Sequence, residues 1–200
     1  MLVKKFLGKD ENSKFVSKLL DNLIFKFEYK WKIDVLEIRP GPENLIMEEN
    51  RAKLFLDMKN PFILNHDEKA SSVIIMSGLE RIMIRKIFGQ IPKYLEDLLV
   101  LREIVKKGHD DKLYYYSYIS LMEYRPHVVE EFSDFLEMSL FWLCFAEKDE
   151  YNTESLQNII ASFKYNRDFE KKTKTLFKLL SKDLWDKKNL EKAVKAYEKL

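Results

Sequence analysis

Five glycines and five prolines are the residues that force a break in this chain of 200, and where they fall restricts what it can fold into. Pro40, Gly41 and Pro42 close a β-branched run, "KIDVLEI", which reads as a strand ending in a turn. Pro61 interrupts the next segment. Beyond residue 70, with Gly78 left inside a helical run, the breaks are Gly89 with Pro92, Gly108 and Pro126, and the stretches between these three breaks hold several helical turns each.

Apolar spacing fills in the elements between these breaks. Phe15, Leu19, Leu20, Leu23, Ile24 and Phe27 recur at helical intervals, so residues 13–30 are expected to form an amphipathic helix. Ala52, Leu54, Leu56 and Met58 alternate with Lys53 and Asp57, and "FILN" follows Pro61; with the 32–42 run these predict a sheet of about three strands. Helices are expected over 70–88, from Pro92 to Gly108, over 111–124, and along "HVVEEFSDFLEMSLFWLCFAE". The expected fold is α+β and mainly helical, with a small N-terminal β-sheet packed on a helical bundle and a C-terminal helical appendage.

A charge shift marks the expected boundary of that appendage. Residues 164–200 carry 12 basic and 6 acidic side chains, a net of +6, which leaves 23 against 27, or −4, for residues 1–163. The organisation predicted is a domain over 1–150 and a basic helical unit over 151–200. In the latter, Phe169, Leu176 and Leu180 share one face while Lys171, Lys174, Lys178 and Lys182 form a stripe on another.

Composition excludes several classes of protein. At 46% hydrophobic residues the chain can bury a sizeable core, and Cys144 stands alone, which excludes a disulfide scaffold and any multi-cysteine zinc site. No apolar run is long enough for a signal peptide or a membrane span, so a cytoplasmic protein is expected. The 34% of charged residues and the two glutamines, Gln90 and Gln157, give a thermophile-like composition.

One carboxylate stands out. Within "SSVIIMSGLERIMIRKIFG", helical geometry surrounds Glu80 with Val73, Met76, Met83, Ile84 and Ile87, while Arg81 and Arg85 fall on the opposite arc. A buried ionised carboxylate is costly unless paired. Arg102 lies on the apolar arc of the following helix, between Leu95 and Leu98, and is the expected partner.

A small sheet, a helix with a buried Glu, and a second helix carrying acids resemble the order found in zincin metallopeptidases, especially the small gluzincins. That resemblance spans residues 30–125. It implies a helix bearing His-Glu-x-x-His, whose histidines bind zinc while the Glu acts as general base. Here the matching window is "LERIM": the two ligand positions hold Leu79 and Met83, and Glu96, beside Asp97, stands where the third ligand is implied. An aliphatic carbon cannot coordinate zinc and a thioether is a poor ligand for it. The resemblance therefore implies a degenerate scaffold with a vestigial pocket of Glu80, Glu96 and Arg102, in which the guanidinium supplies the charge that zinc would have carried.

Other constellations are weaker. His66, His109 and His127 are not at metal-ligand spacing and read as surface residues, Asp67 reads as a helix cap, and Cys144 lies among Phe141, Trp142, Leu143 and Phe145 as an inert thiol. No glycine-rich phosphate loop exists. Tyr114, Tyr115 and Tyr118 beside Lys112 could stack on bases, but packing on the bundle is the stronger reading. The expectation is a non-catalytic, pseudoenzyme-like protein that binds another protein, with no catalytic residues, metal or cofactor. Two alternatives are a nucleic-acid-associated protein using the lysine stripe, and a metal-dependent peptidase with an atypical site of Glu80, Glu96 and a distant His.

Overall fold

A computed structural model describes residues 1–24, 33–123, 128–145 and 151–200. The fold is α+β and mainly helical. Its residues group into two compact units: Met1–Ile91 with Lys106–Tyr116, and Pro92–Val105 with Ser117–Leu200.

The first unit opens with β1 (Leu2–Lys5), α1 (Glu11–Ile24), β2 (Val35–Pro40), β3 (Asn44–Glu48) and β4 (Arg51–Leu56). The sheet order is β1-β2-β4-β3. β1, β2 and β4 run parallel, whereas β3 pairs antiparallel with β4 from Asn44↔Phe55 to Glu48↔Arg51. Parallel neighbours need a crossover, and α1 supplies the one between β1 and β2. Asp10 starts α1, its carboxylate accepting from the Ser13 amide at 2.9 Å and hydroxyl at 2.7 Å.

Leu36, Ile38, Leu45, Ala52, Leu54 and Leu56 alternate along β2, β3 and β4 and are buried. The helix packed against β3, β4 and α1 is α3 (Glu68–Phe88), capped by the Asp67 carboxylate on the Ala70 amide at 3.0 Å and ended by Gly89 at φ 70°. Its backbone passes so close to β4 that a Cβ on Gly78 would sit 2.7 Å from Leu54 Cδ1.

Three sequence expectations need correction in this unit. "FILN" is not a strand: Pro61 opens a short helix, α2 (Pro61–Leu64), and the Asn60 side chain accepts from the Phe62 amide. The sheet gains β1 and β3, which apolar alternation does not reveal, because "LVKK" ends in two lysines and "NLIME" spans five residues. Ile87, placed among the buried neighbours of Glu80, is 50% exposed because the last turn of α3 runs past the core. Phe27 and the rest of 25–32 lie outside the described residues, as do 124–127, with His127, and 146–150.

The second unit contains α4 (Lys93–Lys106, all but its last residue), the end of α5 (Asp110–Glu123), β5 (Val128–Val129), α6 (Phe132–Leu143), α7 (Thr153–Ala161), β6 (Lys164–Tyr165), α8 (Asp168–Leu180) and α9 (Lys187–Tyr197). The charge shift near residue 151 does not coincide with a boundary between units. Phe135 packs on Tyr165 and Phe169 with ring centroids 4.5 and 5.8 Å apart, and Trp142 meets Phe177 edge-on at 4.7 Å. Tyr94 stacks on Tyr197 at 4.4 Å. α8 buries Phe169, Leu176 and Leu180 as their spacing predicts. The long helix expected from residue 127 starts only at Phe132, since Val128 and Val129 pair in parallel with Lys164 and Tyr165. Among the described residues no helix is long and apolar enough to cross a membrane.

Candidate functional site

Glu80 is fully buried in α3, with Leu79, Met76, Met83 and Ile84 buried around it. Burial covers nearly every side of this helix from Ala70 to Ile84, so a carboxylate that stays ionised there requires a partner. The Lys107 ammonium pairs with its Oε1. Lys107 stands in the turn after α4, where Gly108 takes φ 76° and turns the chain into α5. Its side chain is 20% exposed. Sequence reading passed over this lysine because "VKKGHDD" was informative only as a helix stop; nothing in the spacing aims it at α3.

Arg102, the expected partner, belongs to the second unit, where it donates from Nη2 to the Leu180 carbonyl at 2.6 Å and from Nη1 to the Lys182 carbonyl at 3.2 Å. The first is the last carbonyl of α8, where a cation is stabilised by the helix dipole, and the second lies two residues beyond it. Glu96 is buried on the same helix as Arg102. Six residues separate them, about 9 Å of rise and a third of a turn, so the two do not share a face of α4. Glu80 is thus in one unit, Glu96 and Arg102 in the other.

The histidines divide. His66 is exposed, stacks on Phe15 at 4.7 Å and bonds Asn12 at 2.9 Å, whereas His109 is buried, against the surface placement expected for it. Among the described residues no three His, Cys, Asp or Glu side chains come together in a group able to hold a metal ion. Cys144 is buried, and burial pushes its thiol well above the usual range, with the charge of Arg102 opposing the shift. Tyr115 donates to Asp67 at 2.8 Å and Tyr116 packs on Phe62 at 5.4 Å, so these two tyrosines are structural.

The lysine stripe forms as spaced. Lys171, Lys174, Lys178 and Lys182 are exposed, opposite the buried Phe169, Leu176 and Leu180. At its head lies a pocket of about 540 Å³ lined by Ala161, Phe163, Lys164, Tyr165, Arg167 and Glu170. The Tyr165 hydroxyl donates to Glu170 at 2.7 Å. Burial, then that hydrogen bond, push the hydroxyl's pKa up to about 12. Sequence reading missed this pocket, although the alternation of rings and cations in "FKYNR" was the signal for it.

At β1 the sheet has an edge. Among the described residues β1 is hydrogen-bonded to β2 alone, with the Leu2 amide donating to Asp34 and the Phe6 amide to Ile38. Leu2 is 56% and Phe6 48% exposed. Comparisons with protein-family models, with curated proteins and with solved structures gave no match.

Proposed function

We propose that the chain is a non-catalytic interaction protein in which residues 30–125 resemble a zincin scaffold stripped of its metal centre. The observation that carries the reading is the cation on Glu80. A carboxylate that is to act as general base on a metal-bound water needs ligands beside it. Here its helix neighbours are the buried Leu79 and Met83, and its charge is balanced by an ammonium from the protein itself. The order of elements on which the resemblance rests, sheet, then Glu80 helix, then Glu96 helix, supports the same reading.

The surface suited to a protein partner is the β1 edge. Since the Leu2 and Phe6 amides face β2, the period of two turns the Val3 and Lys5 amides outward, where an extended segment of another protein can add as a strand. Leu2 and Phe6 supply apolar contacts beside it. The test is affinity capture from the source cell with wild-type and Val3→Pro protein. Proline at position 3 removes an outward donor without removing a ladder bond. A discrete partner held by the wild type and lost with Val3→Pro, at unchanged thermal stability, is the expected result; retention of the partner refutes the edge assignment.

A further inference from the structure

We infer that the second unit binds single-stranded nucleic acid along α8, with one base in the pocket at its head and the phosphates on the cationic stripe that follows. The inference is independent of the reading of the first unit. Arg167 already has helical backbone angles, φ −58° and ψ −21°. At about 100° per residue, Arg167, Lys171, Lys174 and Lys178 therefore fall within an arc of about 60°. They span about 16 Å of rise, roughly one cation every 5–6 Å. Lys182 continues the line past the helix end.

These cations face solvent. Lys171 contacts Asp168 at 3.2 Å, both side chains being exposed, and among the described residues no carboxylate pairs with Lys174 or Lys178. Between residues 164 and 182 seven basic side chains stand against two acidic ones. Such a line attracts a polyanion by releasing its counterions.

The pocket decides which polyanion. Its lining includes Tyr165, partly exposed with its ring packed on Phe135, and the buried Phe163, with Lys164 and Arg167 exposed around it. Glu170 lines the pocket too. A carboxylate repels a phosphate but accepts from a base amine, so the base belongs inside and the phosphates outside. The Tyr165 hydroxyl stays protonated at neutral pH, and the ring adds no charge against the strand. A duplex keeps its base faces stacked and cannot fill an aromatic pocket, whereas a single strand offers one π-face per nucleotide. An acidic protein surface would use the stripe and leave the pocket empty.

Fluorescence anisotropy with the full chain and labelled twelve-nucleotide oligo(rC) and oligo(dC) tests this. The tighter of the two identifies the natural polymer. If four cations contact phosphates, log K should fall against log salt with a slope of about −3. Lys171→Glu/Lys174→Glu/Lys178→Glu should weaken binding at least about 10-fold and flatten the slope. Tyr165→Leu should weaken it about 10-fold with the slope kept, while Tyr165→Phe retains binding. Should Tyr165→Leu fail to fold, Arg167→Glu, on an exposed residue at the pocket, must weaken binding in its place. Absence of oligonucleotide binding at low salt, unchanged binding by the triple variant, or equal affinity for duplex DNA or polyglutamate overturns the inference.

Discussion

Replacing Lys107 with Met removes an ammonium from a carboxylate that has no exposure to water. The loss has a ceiling, because the acid can take up a proton instead of staying charged. For a carboxyl of ordinary pKa, about 4.3, protonation at pH 7 costs about 3.7 kcal/mol at 1.36 kcal/mol per unit. Lys107→Met should therefore destabilise the first unit by about 2–4 kcal/mol at pH 7. Glu80→Gln should cost less, about 1–2 kcal/mol, since an ammonium that is 20% exposed keeps part of its hydration. The double variant Glu80→Met/Lys107→Met, apolar and of similar volume, should lie closer to wild type than Lys107→Met does.

Acidity supplies a second signature of the same pair. In Lys107→Met the folded chain holds the Glu80 proton more tightly than the unfolded chain, so its stability relative to wild type rises as pH falls. At pH 5 the ceiling drops to about 1 kcal/mol. Urea denaturation followed by far-ultraviolet circular dichroism at pH 5 and 7 measures both effects. Additive single-variant losses, or a Lys107→Met penalty that does not change with pH, would refute the reasoning.

Gly78→Ala should destabilise by about 1 kcal/mol despite a gain of similar size in helix propensity, because the new methyl meets Leu54 at 2.7 Å; Leu54→Val in the same chain should restore the loss, as thermal melts will show. Cys144 should resist alkylation at pH 8 in the folded protein and react on denaturation, since burial holds its thiol protonated; mass spectrometry reads the adduct. The start of α1 should loosen in acid: the Ser13 hydroxyl and amide hold Asp10 below its usual value, so its contribution is present above about pH 4 and fades as pH falls through the lowered value. Amide exchange at Ser13 measures it, and Asp10→Asn should flatten the profile.

What was legible in the sequence follows from how local the cause is. Gly89 and Gly108 end α3 and α4 because only glycine adopts their positive φ cheaply, and Asp67 caps α3 through a contact three residues away. The face shared by Phe169, Leu176 and Leu180 is likewise a matter of period. Pairings across the chain were not legible. Glu80 could be marked as a buried acid needing a cation, but Lys107 reaches it over 27 residues through a turn that periodicity does not describe. Edge strands failed for a related reason. β1 is half exposed and carries two lysines, so the alternation that marks a strand with one buried face is missing from it.

The central claim is that a protein cation does at Glu80 what a metal would do in the zincin-like scaffold proposed for residues 30–125. Metal analysis of the chain purified without a histidine tag, followed by zinc titration of wild type and of Leu79→His/Met83→His/Lys107→Met, tests it most directly. The account predicts substoichiometric zinc in the wild type and a measurable gain in affinity once two imidazoles flank Glu80 and the competing ammonium is gone. Stoichiometric zinc in the wild type, accompanied by peptide hydrolysis that a chelator abolishes, would contradict it.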